Sequence, residues 1–176
     1  NKAIENFLIT AKKNPDFSII GPTVPDSKIN GEKITQIKEV ENVKGFAMFF
    51  NLEQFKNIGF FDKNIFIYLE EIDLCKRLRN QNKKIFLDPS IIINHLGGSS
   101  HDEEYNFQME LSRNWHWMWS SFYYNKKHNS FLFAILSILP KLLSSIIKII
   151  FYSLIMNKKK KLIYFRRFSG IINSIL

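Results

Sequence analysis

Gly45-Phe-Ala-Met-Phe-Phe-Asn51, Gly59-Phe-Phe-Asp62, Tyr68-Leu-Glu-Glu-Ile-Asp-Leu-Cys-Lys-Arg-Leu-Arg79 and Asn94-His-Leu-Gly-Gly-Ser99 follow one another along the chain. The third piece has helical periodicity. Leu69, Ile72, Leu74, Cys75 and Leu78 make an apolar stripe, while Lys76, Arg77 and Arg79 face elsewhere. Three acids, Glu70, Glu71 and Asp73, fall at the start of that helix. A lone histidine, His95, comes after a short strand pair and just before a Gly-Gly-Ser turn. Carboxylates and an imidazole brought together in this way suit a divalent metal and a general base. Group transfer on a phosphorylated donor is the chemistry that such a pair serves.

Outward from this stretch, helical and strand patterns alternate, and the fold class is α/β. Residues 2–13 read as a helix with Ile4, Phe7, Leu8 and Ala11 on one face. Phe17-Ser-Ile-Ile20 is a short buried strand closed by Gly21-Pro22, and 25–31 is turn chemistry for a loop or hairpin. The apolar run from Gly45 to Phe50 predicts a central strand, and 52–58 a short helix that ends with Gly59 in the left-handed position. Ile85-Phe-Leu87 and Ile91-Ile-Ile93 read as two strands separated by Asp88-Pro89-Ser90. Residues 103–124 read as a helix crowded with Trp and Tyr.

The order of the four quoted pieces resembles the second half of the catalytic domain of glycosyltransferase family 2, especially its bacterial rhamnosyltransferase-like members. The matching residues are Gly45, Gly59 to Asp62, residues 70–77, and His95 with the turn that follows. Two positions depart from the family's pattern. Phe60 stands where a second Gly is usual, and Glu71 where an Asp is usual. The resemblance covers about residues 1–115 and implies the second half of a GT-A, or nucleotide-diphospho-sugar transferase, domain. It also implies inverting transfer from a nucleotide-sugar donor to a glycan or lipid-linked acceptor, as in cell-envelope polysaccharide synthesis. In the family, the donor-binding half with its Asp-x-Asp lies upstream of the matched region. The chain is therefore expected to be a fragment, inactive alone.

Each candidate residue also has a plainer explanation. An inverting transferase needs a carboxylate to take the proton of the attacking hydroxyl. The resemblance gives that role to Glu71, with Glu70 and Asp73 as the alternatives. Acids at a helix start also complement its dipole, each contributing ~0.3–1 kcal/mol, and Asp73 can pair with Arg77 one turn on. His95 is the candidate ligand for Mn²⁺ or Mg²⁺, which would neutralise the departing diphosphate; a strand-end histidine bonded to backbone is the alternative. Gly45 would leave room for a sugar or merely allow close packing. Asp62 and Arg77 complete the substrate-binding candidates. Cys75 reads as core, and a single cysteine excludes an intramolecular disulfide.

Charge separates the two ends of the chain. Residues 1–110 hold fourteen Lys/Arg and all sixteen Asp/Glu, whereas 111–176 hold eleven basic residues and no acid. Residues 116–176 therefore read as an aromatic and basic helical tail that associates with an anionic membrane surface. Long aliphatic runs favour a bilayer over nucleic acid. The run at 131–156 is longer than the about 20 apolar residues that a span requires. Pro140 and Lys141 at its centre predict instead two interfacial helices hinged at the proline, since a mid-membrane Lys costs roughly 2.5–3.5 kcal/mol. The expected location is the cytoplasmic face of the cell membrane, peripheral or monotopic. Two other classes stay open: a non-catalytic membrane-surface module, and a nucleic-acid-binding protein with a basic tail.

Overall fold

Strand β1 (Phe17–Thr23) is buried along its whole length and organises the first part of the chain. The computed structural model describes residues 2–24, 28–29, 32–95 and 102–176. Before β1 lies helix α1 (Lys2–Lys13); after it come β2 (Lys28–Ile29), β3 (Glu32–Lys33), β4 (Lys38–Glu39) and β5 (Phe49–Phe50). Helix α2 (Glu70–Arg79) and strand β6 (Lys84–Ile92) complete the set. The sheet order is β4-β6-β1-β5; β1 and β6 are parallel, and both edge strands are antiparallel to their neighbours. β2 and β3 form a separate antiparallel pair around the predicted turn, part of which lies outside the described residues. The architecture is mixed α/β, a four-stranded mixed sheet followed by C-terminal helices.

Two clusters form the core of this sheet unit, which comprises Asn1–Asp62 and Glu70–Gly97. Ile19, Val43, Phe55, Leu74, Cys75, Leu78 and Ile85 pack together; of the predicted α2 stripe Leu74, Cys75 and Leu78 are buried there, while Ile72 is only partly buried and Leu69 precedes the helix. Phe7, Phe17, Ile20 and Ile91 form the other cluster, with α1. A Cβ on Gly21 would lie 2.5 Å from Val43 Cγ1, so this strand position admits nothing larger than glycine.

Four expectations change. On α1, Ile4 and Leu8 are exposed, and the inward face is Phe7 and Thr10 with Ala3 and Ala11. The Thr10 hydroxyl donates to the buried carboxylate of Asp88, and this polar anchor turns the helix away from its most apolar face. The predicted central strand at 45–50 is a turn at 45–46 followed by the two-residue edge strand β5. The two strands at 85–93 are one, β6. Its register against β1 slips between Pro22 and Thr23, so Pro89 sits in a bulge where no ladder N–H is needed, with Ser90 N donating to Asp88 Oδ1 at 2.8 Å. The short helix at 52–58 is a single 3₁₀ turn (Leu52–Phe55), closed by Ile58 and Gly59 N–H groups on Phe55 O, with Gly59 at φ +70° as expected.

The second unit comprises Lys63–Leu69 and Gly98–Leu176. Its helices are α3 (Asn106–His128), α4 (Phe131–Leu154) and α5 (Lys158–Ile175), which share a core of Met118, Phe122, Ala134, Ile138 and Ile171. The boundary expected at 115/116 falls inside α3. The reason is local: 63–69 is clipped to that helix by Trp119 Nε1 on Asn64 O (3.1 Å), Ser120 Oγ on Ile67 O (2.8 Å) and Asn64 Nδ2 on Tyr123 Oη (3.0 Å). The hinge expected at Pro140 is absent, because α4 runs unbroken through it. Proline removes one ladder donor and crowds the carbonyl one turn earlier, but Ala134, Ile138 and Ser145 are buried on both sides of it and hold both halves of α4 inward. The reversal comes later, at Met156 (φ +54°) and Asn157, whose side chain accepts from Lys160 N and starts α5. Among the described residues α4 is the one helix long and apolar enough, by length and composition, to cross a membrane.

Candidate functional site

The acidic start of α2 is built on an arginine one turn further along the same helix. Arg77 donates from Nε to Asp73 Oδ2 at 2.8 Å, from Nη1 to Ile58 O at 2.8 Å and to Gly59 O at 3.3 Å, and from Nη2 to Phe60 O. Asp73 is fully buried. Of the three acids, it therefore serves as a strut: through Arg77 it ties α2 to the left-handed turn at Gly59. Phe60 stacks on Phe55 at 4.9 Å, and Phe50 meets both rings edge-on, which completes the wall below this turn. Asp62 ends the turn and is partly buried.

Glu70 and Glu71 remain at the helix mouth. Glu71 lies over Gly45: a Cβ built on that glycine would sit 3.5 Å from Glu71 Cβ and 3.7 Å from its Cγ and Cδ. The backbone of Gly45 thus lies against the glutamate side chain, and a Cβ there would be in ordinary contact with it. Burial pushes the Glu71 carboxyl above its usual range; the N–H groups of Glu71 and Ile72 oppose this, and the charge of Glu70 adds to it. Glu70 has one buried carboxylate oxygen, Oε2, with no hydrogen-bond partner among the described residues. A carboxylate that holds its proton more readily than usual is a better proton acceptor when it is ionised.

His95 stands exposed after β6 and stacks on Phe46, with ring centroids 4.8 Å apart and planes at 8°. Phe46 follows Gly45, so the chain segment that flanks Glu71 also carries the ring under His95. Phe46 is the residue that sequence reasoning passed over; as one aromatic among seventeen phenylalanines it carried no signal. Gly97, Gly98 and Ser99 lie outside the described residues. The described residues do not fit a closed metal centre, since no three of His, Cys, Asp and Glu come together to hold an ion. Cys75 is buried, and burial raises its thiol above the usual range, as a core cysteine requires.

The backbone entering α2 is unusual. Tyr68 and Leu69 are consecutive non-glycine residues in the left-handed region, each at φ +68°. Such conformations cost of order 1–3 kcal/mol each and persist only where the surroundings enforce them. Their composition gives no warning of this, because Tyr and Leu are ordinary helix residues.

Comparison of the chain with protein-family models, with curated proteins and with solved structures found no match in any of the three. The roles of these residues therefore rest on their geometry and chemistry.

Proposed function

We propose that this chain carries the acceptor-side half of a GT-A glycosyltransferase, which moves a sugar with inversion from a nucleotide-sugar to a glycan or lipid-linked acceptor. The observation that carries the reading is Glu71 at the mouth of α2. It is half-buried, its proton affinity is raised, and it lies against Gly45, which has no side chain to crowd it. In this reading Glu71 takes the proton of the acceptor hydroxyl as that oxygen attacks the donor's anomeric carbon, and the nucleoside diphosphate leaves from the opposite face. Glu70 raises the basicity of Glu71 through its charge. Asp73 and Arg77 position the helix rather than touch substrate. The stacked Phe46–His95 pair, on the segment that follows Gly45, offers a flat surface for a sugar ring, and no step is routed through a metal. The helices of the second unit supply the membrane attachment. α4 presents Leu132, Leu136, Leu143, Ile147 and Leu154 outward, an apolar stripe that fits a bilayer surface at the cytoplasmic face.

The test is Glu71→Gln in the native protein, assayed by nucleotide release from a panel of nucleotide-sugars. Loss of a general base lowers kcat by ~10²–10⁴-fold and leaves donor binding nearly unchanged. Wild-type turnover in both Glu71→Gln and Glu70→Gln would end the catalytic reading. The apolar stripe of α4 would then favour a non-catalytic membrane-surface module.

A further inference from the structure

The second unit has a cleft of its own, of about 370 Å³, bounded by Tyr68, Glu110, Arg113, Asn114, Trp117 and Arg167. Two guanidinium groups, one from α3 and one from α5, line it. Arg167 is held in place: its Nε donates to Asn114 Oδ1 at 2.6 Å, and its guanidinium lies 5.2 Å from the ring centroid of Tyr164 on the same helix. Tyr68 meets Trp117 edge-to-face at 5.4 Å, which gives the cleft an aromatic wall. The strained backbone at Tyr68 sets the tyrosine ring there.

The charges in the cleft are poorly balanced. Residues 111–176 contain no acid, and the ion pairs among the described residues involve neither Arg113 nor Arg167. Lys141 of α4 is close enough to Arg167 for the two charges to repel. Glu110, exposed at the rim, is the one carboxylate lining the cleft. Two arginines lining one space suit a phosphate, whose oxygens can accept from both planar guanidinium forks. The volume is near the lower end for small-molecule sites, enough for a head group and too small for a long glycan.

The geometry points to a phosphate-ester site, with the anion between Arg113 and Arg167 and the organic portion against Trp117 and Tyr68. The chemistry is shared by a phospholipid head group and by a soluble phosphate ester. It rests on the membrane reading above only for the first of these sources.

The experiment uses the full chain and two probes: glycerol 1-phosphate in solution, and phosphatidylcholine vesicles with or without phosphatidic acid at high salt. Binding is followed by the quenching of tryptophan fluorescence and by co-sedimentation. Arg113→Gln, which removes no hydrogen bond that holds the fold, is expected to weaken saturable binding about tenfold, and Arg113→Gln/Arg167→Lys further. Arg166→Gln removes the same charge from an exposed position outside the cleft and should leave binding near wild type. Loss on vesicles and on glycerol phosphate alike supports a site for the ester itself; loss on vesicles alone supports a lipid head group. Equal effects of Arg113→Gln and Arg166→Gln, or saturable binding of neither probe, would overturn the proposal. Helical circular dichroism of each variant separates loss of the site from loss of the fold.

Discussion

Arg77 and Asp73 face each other across one turn of α2, with Nε 2.8 Å from Oδ2, and the carboxylate is wholly buried. The guanidinium directs its other donors to the carbonyls of Ile58, Gly59 and Phe60. One side chain thus satisfies a buried charge and fastens the turn that precedes the acidic helix.

Removing Arg77 takes from Asp73 the counter-charge it faces. Arg77→Gln is expected to cost about 3–5 kcal/mol in a denaturant titration. Asp73→Asn keeps an acceptor for Nε and should cost less. The two changes share one network, so the double variant should be more stable than the sum of the single costs implies. Equal and additive costs would mean that the pair contributes as an ordinary surface contact.

Glu71 predicts a pH dependence with a definite sign. Its folded-state proton affinity is raised, so ionisation opposes folding. Below the ordinary glutamate range both the folded and the unfolded chain keep the proton, and Glu71→Gln should melt like wild type. As pH rises through the folded value, the wild type loses stability that the glutamine variant keeps. The melting-temperature difference should open in favour of Glu71→Gln by neutral pH. A difference that opened in the other direction would place the carboxylate in a favourable ion pair instead.

Gly170 tests the packing of the second unit. A Cβ there would lie 2.5 Å from the backbone oxygen of Trp115 and 3.2 Å from Met118 Cβ. Alanine is the better helix former by roughly 1 kcal/mol, yet Gly170→Ala should destabilise the helices, because α5 must move away from α3. The overpacking cost is about 1–3 kcal/mol. Thermal melts of the two proteins decide it; a stabilised variant would show that this contact is loose.

Vesicle binding by the helical region should separate into two parts. Replacing the four lysines at 158–161 by Gln should weaken binding to anionic vesicles at low salt, at about 1 kcal/mol per residue near the surface, and leave neutral vesicles almost unaffected. Leu136 and Ile147 are 60% and 65% exposed on α4. Leu136→Lys/Ile147→Lys should abolish the salt-resistant part while helical content stays unchanged. Cutting away 131–176 is a poorer test, since Ala134, Ile138 and Ile171 cover Met118 and Phe122 of α3. Salt-resistant binding that survived the lysine pair would rule out attachment by this face.

The parts of the fold that were legible in the sequence are those fixed by local periodicity. The α2 stripe of Leu74, Cys75 and Leu78 and the left-handed Gly59 follow from spacing and residue type alone. The misread parts depend on partners distant in sequence. Pro89 looked like a break, but the parallel neighbour β1 absorbs it as a bulge. Pro140 looked like a hinge, but α4 continues through it, packed against the other helices by Ala134 and Ile138. At the candidate site, the acids were visible as a cluster, whereas their division was legible only in part. The i,i+4 spacing offers the Asp73–Arg77 pair, which the structure shows; the contact of Glu71 with Gly45 is between residues distant in sequence and has no such signal.

Cys75 is the single cysteine of the chain and is shut inside the cluster that α2 forms with the sheet. Its thiol is enclosed, and burial disfavours the thiolate. Alkylation must therefore wait for α2 to lift from the sheet, and the labelling rate becomes a clock for that opening. A native protein left with a maleimide reagent thus carries its own gauge of local breathing at the helix that bears Glu70 and Glu71, with no engineered probe.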